Sequence, residues 1–180
     1  MTITIRDLTT DGADDLQAFR AHFERHRLES GNSDIHFMPF DPAGSDRPGG
    51  LDELTLAYPL HEPRWQRWFV AVDAQQVVGH VNLRGDGLRV GLHRAELGIG
   101  IERAWRGRGL GRRLMQTALD FALRSAVIDW VDLKVFAHNQ TAIALYLDMG
   151  FVQVGYRKDR FRIAGVRIDD VEMEYPVGGA

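Results

Sequence analysis

The chain has 180 residues, 44% of them hydrophobic, with 22 Lys and Arg against 25 Asp and Glu, a formal net charge of −3 and no cysteine. One domain over residues 1–180 with a substantial core is expected at this length, and the composition excludes a disordered chain, a disulfide scaffold and a thiol nucleophile. The charge balance gives no support for nucleic acid as a partner, no apolar run is long enough for a membrane span, and MTITIRDLTTDG has no signal-peptide core, so a cytoplasmic location is expected.

The elements read in order as α/β. A strand is expected at 3–8 and a helix at 12–29. His22 and His26 lie i, i+4 on that helix, as metal ligands can. No third ligand completes a pattern, so a solvated helix face is expected and no metal. Residues 30–50 form a Gly-, Pro- and Asp-rich loop, in which His36, Phe37, Met38 and Phe40 favour ordering over substrate and Asp34, Asp41 or Asp46 offer charge to an amine. A short helix at 51–58 precedes a hairpin, 68–74 and 76–85, joined by a short polar break; RGDG at 84–87 is a turn whose adhesion-like tripeptide is coincidence. A strand at 95–102, a helix at 110–126, a strand at 131–136, a helix at 141–149 and a last pair of strands complete the order. His80 and His93, near strands bordering the cleft, read as structural; Trp65, Trp68, Trp105 and Trp130 read as core or rim.

The segment RGRGLG, Arg106 to Gly111, joins a strand to a helix. Such a turn offers free backbone N–H groups and the positive end of a helix dipole to an anion. Gly107, Gly109 and Gly111 let backbone approach closely, and Arg106 and Arg108 add charge. A phosphorylated cofactor follows. A P-loop would need Lys then Ser or Thr, where this helix opens with Leu110 and Gly111. A dinucleotide fingerprint would need G-x-G-x-x-G, and the spacing here is G-x-G-x-G; Asp129 precedes the next strand when it should close it.

Arg106-x-x-Gly109-x-Gly111 resembles the R/Q-x-x-G-x-G/A signature of the GNAT N-acetyltransferases, which cradle the pyrophosphate of acetyl-CoA. LKVFAHNQTAIALYLDMGF (133–151) resembles the second block of that family, with Asn139, Ala142, Tyr146, Gly150 and Phe151 on the matching positions. FRIAGVRIDDVEMEY (161–175) is similar to the last strands of the subgroup holding bacterial L-amino-acid N-acetyltransferases. The resemblance covers roughly residues 65 to 177. It implies a mixed, mostly antiparallel twisted sheet of about seven strands flanked by helices. It also implies acetyl-CoA as cosubstrate, held by Ile99, Gly100, Ile101, the turn 106–111, Asn139, Ala142 and Tyr146. The implied partner is a small amine acceptor such as an amino acid, with a homodimer left open. Acetylation of a protein N-terminus or lysine, and a non-catalytic acyl-CoA sensor, are the alternatives.

Each step needs a group. A lysine-type amine has a pKa of about 10.4, so little free nucleophile exists at neutral pH. Glu96 matches the position where many members carry a base, working through an ordered water, or it is a solvated strand-end carboxylate. Glu102 is the runner-up and is expected to cap or neutralise the turn. The resemblance assigns the oxyanion donors to backbone N–H near Gly100 or Ile101, and GIG suggests a bulge or splay there. Tyr146 would protonate the departing thiolate, and Asn139 would cap its helix while touching the pantetheine arm.

Overall fold

The computed structural model describes residues 3–8, 13–31, 36–39 and 51–178. Asp34, Phe40, Asp41 and Asp46 lie outside the described residues. Apolar, β-branched runs on either side of Ala74-Gln75 form a hairpin of β2 (Gln66–Asp73) and β3 (Gln76–Gly85). Both turn residues take positive φ, 43° and 74°, the twist a two-residue hairpin loop requires. To one side of this hairpin β1 (Thr4–Asp7) pairs with β2; to the other, β4 (Arg94–Ile101) pairs with β3 without a break from Gly79↔Ile101 to Gly85↔Ala95.

Seven strands in the order β1-β2-β3-β4-β5-β7-β6 make one mixed sheet, with β5 at Trp130–Phe136, β6 at Val152–Ile163 and β7 at Val166–Pro176. Among the described strands only β4 and β5 run parallel, because α3 (Leu110–Arg124) carries the chain back between them. α3 places Leu110, Leu114, Met115, Ala118, Leu119 and Ala122 against the sheet, joined by Tyr146 of α4 (Gln140–Asp148). Burial of each large side chain among them contributes roughly 1.5–3 kcal/mol. On the opposite face, Phe19 of α1 (Ala13–Glu29) packs with Trp68, Val70, Val72 and Val77. The expected helix at 51–58 shrinks to α2 (Glu53–Leu56): Asp52 caps its start by accepting from Leu54 N–H, and Pro59 disfavours helix at the residue before it. Among the described residues, no helix is long and apolar enough to cross a membrane.

Alternation along β4 sends Ala95 and Leu97 into the α3 side and Glu96, Gly98 and Gly100 to the α1 side. The ladder between β4 and β5 holds only from Arg94↔Trp130 to Glu96↔Asp132. β4 then continues to Ile101 and β5 to Phe136 with no further pairing to each other, so the two strands splay into a wedge.

Candidate active site

Backbone direction decides what the wedge presents. Glu102 N–H donates to Val78 O of β3 at 3.1 Å. Groups on an antiparallel strand face alternate sides, so Gly98 and Gly100 also turn toward β3, and Ile99 and Ile101 turn toward β5. Beyond Glu96↔Asp132 no ladder partner meets them. The N–H groups of Ile99 and Ile101 therefore open into the wedge, while the Ile101 carbonyl accepts from Arg106 Nε at 2.9 Å. The irregularity suggested by GIG is this splay; against β3 the register runs unbroken.

At the wedge mouth, Gly107 and Gly109 hold φ of 71° and 74°, and none of the described residues lies within 4 Å of where a Cβ would stand. Gly109 is the N-cap of α3, so the first N–H groups of that helix, from Leu110 on, face the concavity. The two arginines divide. Arg108 lies over the Trp105 ring at 5.3 Å, whereas Arg106 turns back to Glu29 Oε2 at 3.0 Å and sits over Phe37 at 4.8 Å. Arg106 thus ties the turn to α1 and to residue 37.

Gly111 brings α3 against α4 and β4: a Cβ there would meet Leu145 Cδ2 at 3.0 Å and Ile101 Cδ1 at 3.5 Å. α4 starts at Asn139, whose Oδ1 accepts from Ala142 N–H at 3.3 Å. One turn on, Tyr146 is buried beside Phe151, ring centres 6.1 Å apart. Burial pushes its phenol up to about 12, and among the described residues its hydroxyl has no hydrogen-bond partner. It stays protonated across ordinary pH.

On the α1 face the sheet floors an open cleft of about 710 Å³ that takes in Asp52, Arg64, Arg84, Arg94, Glu96, Asp132, Lys134, Glu172 and Glu174. Glu96 lies between two cations: Oε1 accepts from Arg84 Nη2 at 2.6 Å and Oε2 from Lys134 Nζ at 3.1 Å. Arg94 bridges Asp132, at 2.7 Å through Nε, and Glu174, at 2.8 Å, and these carboxylates raise its already high pKa. Of the floor groups, Arg64 alone holds positive φ, 65°, and its guanidinium has no partner among the described residues. His93 is exposed and does not line this cleft.

The expected solvated face at His22 and His26 is overturned. His22 is 0% exposed and His26 4%, because that side of α1 packs on β3 and β4. His22 Nε2 lies 2.9 Å from His80 Nδ1, and His22 Nδ1 lies 2.8 Å from Glu102 Oε1. Glu102 is buried, and its side chain holds His22 and Arg25 where a cap of the turn was expected. Gly100 allows the approach: a Cβ on it would stand 2.5 Å from His80 Cε1 and 2.6 Å from His26 Nε2. Among the described residues His26 Nδ1 is buried with no hydrogen-bond partner. Burial lowers all three histidines, His26 to about 3, with His22 and Arg106 adding repulsion there. Among the described residues no His, Asp and Glu group could hold a metal ion.

Residues 33–151 match the acetyltransferase (GNAT) family. The chain belongs to the GNAT acetyltransferases. Enzymes of this family move an acetyl group from acetyl-CoA to an amine nitrogen. The chain is 33% identical over 164 residues to the uncharacterized N-acetyltransferase YdgE of Bacillus subtilis, covering 87% of this chain and 96% of that protein. It is 34% identical over 129 residues to the spermidine N(1)-acetyltransferase of Vibrio cholerae, 69% of this chain and 72% of the other. Identity to the N-alpha-acetyltransferase RimI of Mycobacterium tuberculosis is 43% over 67 residues, 37% of this chain, and the match spans only 40% of RimI's length. The GNAT fold here superposes on the structure of yncA from Salmonella typhimurium, solved with its cofactor acetyl-CoA. The TM-score is 0.75 at 16% identity, covering 100% and 96% of the two chains.

Proposed function

We propose that this GNAT protein holds acetyl-CoA along the β4–β5 wedge and transfers the acetyl group directly to the primary amine of a small, amino-acid-like acceptor in the α1-face cleft. The observation that carries this reading is the wedge itself, with two N–H groups inside it that have no ladder partner among the described residues, a positive-φ glycine turn at its mouth and a buried phenol on the helix beside it. The pyrophosphate fits the N–H groups at Gly109, Leu110 and Gly111, where the open space at 107 and 109 leaves room for it. Acetyl-CoA supplies an acetyl thioester.

Ile99 and Ile101 N–H are fixed donors for the charge that develops on the acetyl oxygen, and fixed donors need no reorganisation as that charge grows. Tyr146 returns a proton to the sulfur, whose thiol pKa is about 8.5. Glu96 borders the acceptor, with both oxygens engaged by Arg84 and Lys134; its part is to orient those cations and through them the acceptor.

Acceptor class follows from the sign of the charges. A polyamine would use only the carboxylates of the cleft, whereas a free amino acid also uses an arginine. Arg64, whose side chain has no partner among the described residues, suits the acceptor carboxylate. Thiol release from acetyl-CoA, measured with free L-amino acids, spermidine and a short peptide in parallel, tests this. Release with amino acids above both others is expected. Faster release with spermidine or peptide would overturn the acceptor assignment, and release with none would overturn the reaction.

A further inference from the structure

We propose that His80 accepts the proton of the attacking amine, and that His22 and Glu102 are positioning residues that hold His80 in the form able to accept it. The proposal rests on the acetyl-transfer reading above. It starts from a gap in that reading: the amine must lose a proton, and both oxygens of Glu96 are already held by cations.

The hydrogen-bond chain fixes the tautomers. Glu102, ion-paired with Arg25 at 2.9 Å, can only accept, so His22 Nδ1 carries a proton and donates it. His22 Nε2 is then bare and accepts from His80 Nδ1–H at 2.9 Å. His80 Nε2 is left as a lone pair, and among the described residues no protein group donates to it. One carboxylate at the far end of the chain thereby determines which nitrogen of His80 is basic.

His80 does not line the α1-face cleft; its place beside β4 at the wedge carries the role. His80 is the β3 partner of Gly100, and its Cε1, the atom between its two nitrogens, lies closest to where a Gly100 Cβ would stand. Gly100 sits between Ile99 and Ile101, whose N–H groups face the wedge. The groups around the pair are His26 and Arg25 from α1, and the rings of Phe19, Phe23 and Trp68; Arg106 and Glu29 lie beyond His26. Burial in this apolar ring keeps His22 and His80 below the usual histidine range, hence neutral at pH 7.

The step balances. The amine nitrogen forms the bond to the acetyl carbon, and the carbon–sulfur bond breaks. The amine proton passes to His80 Nε2, the His80 Nδ1 proton to His22 Nε2, and the His22 Nδ1 proton to Glu102. The sulfur takes its proton from Tyr146.

Two measurements test it. Long-range nitrogen–proton NMR of the histidine rings in the whole protein at pH 7 should find His22 and His80 both neutral and protonated on Nδ1; an Nε2–H tautomer or an imidazolium at His80 would overturn the relay. This readout needs no turnover, so it stands apart from the acetyl-transfer reading. Thiol release with an equimolar mixture of the L-amino acids should fall about 10²-fold in His80→Gln near neutral pH and recover as rising pH deprotonates the amine. A wild-type pH profile in a folded variant would overturn the proposal. Glu102→Gln, which keeps the shape and removes the charge that sets the tautomers, carries the same test if His80→Gln does not fold. Absence of thiol release in the wild type would contradict the function and leave the tautomers to decide the relay.

Discussion

Gly111 of α3 and Leu145 of α4 lie so close that a Cβ on the glycine would stand 3.0 Å from Leu145 Cδ2. This contact locks the helix that opens at the glycine turn to the helix that carries Tyr146, with Ile101 of β4 beneath both. Gly111→Ala asks a flexible leucine terminus to yield by a few tenths of an ångström and should be mild. Gly111→Val overpacks the contact and should cost about 1–3 kcal/mol in urea unfolding, with weaker acetyl-CoA binding by calorimetry. Wild-type stability and affinity in the valine variant would show that α4 and the turn are not coupled.

At Gly109 two effects must be separated, because φ is 74°. Asn tolerates the left-handed region and adds no charge; Asp adds charge as well. Gly109→Asn should bind acetyl-CoA several-fold more weakly through bulk in the concavity. Gly109→Asp should lose about tenfold more through repulsion of the pyrophosphate. Equal affinities in the two variants would remove the phosphate from this turn.

Tyr146→Phe deletes an oxygen without a protein partner among the described residues, so stability should change little on a thermal melt. Turnover should fall roughly 10²-fold with acetyl-CoA affinity retained, the pattern of a proton donor used only in the reaction. Retained turnover would leave Tyr146 as a packing residue.

Buried neutral histidines make stability depend on acid. His22, His26 and His80 have folded pKa values below the unfolded value of about 6.5, so below that pH the unfolded chain binds more protons than the folded one. Their stabilising effect is complete above about pH 6.5 and declines as pH falls toward their folded values, about 3 for His26. Each histidine that stays neutral removes about 1.4 kcal/mol per pH unit in that window. Urea midpoints at pH 7.5, 6 and 5 should fall steeply over the last two. A flat series would contradict the burial.

Much of this was legible in the chain. Strand and helix positions follow from local periodicity, and the glycine turn from spacing. The wedge is not local: it arises where two strands 30 residues apart stop pairing, and neither carries a mark of where the ladder ends. The histidine chain was hidden for the same reason. His22 and His26 share a helix face that sequence alone cannot distinguish from a wet one, and the partners of His22, His80 on β3 and Glu102 just past the end of β4, lie far along the chain. A signal did exist in Gly100, a glycine inside a strand, which marks close approach of another group. Glu96 was read as the candidate base, and the hold of Arg84 and Lys134 on it depends on strand register across β3, β4 and β5, which the sequence does not show.

The central claim is that the cosubstrate lies in the β4–β5 wedge with its acetyl oxygen on the strand's free N–H groups. Backbone amide NMR of the protein titrated with acetyl-CoA tests this directly. The account predicts downfield shifts and slowed exchange at Ile99 or Ile101, together with shifts at Gly109, Leu110 and Gly111. Shifts confined to the cleft around Arg64, Arg84 and Glu174, with Ile99 and Ile101 unmoved, would contradict it.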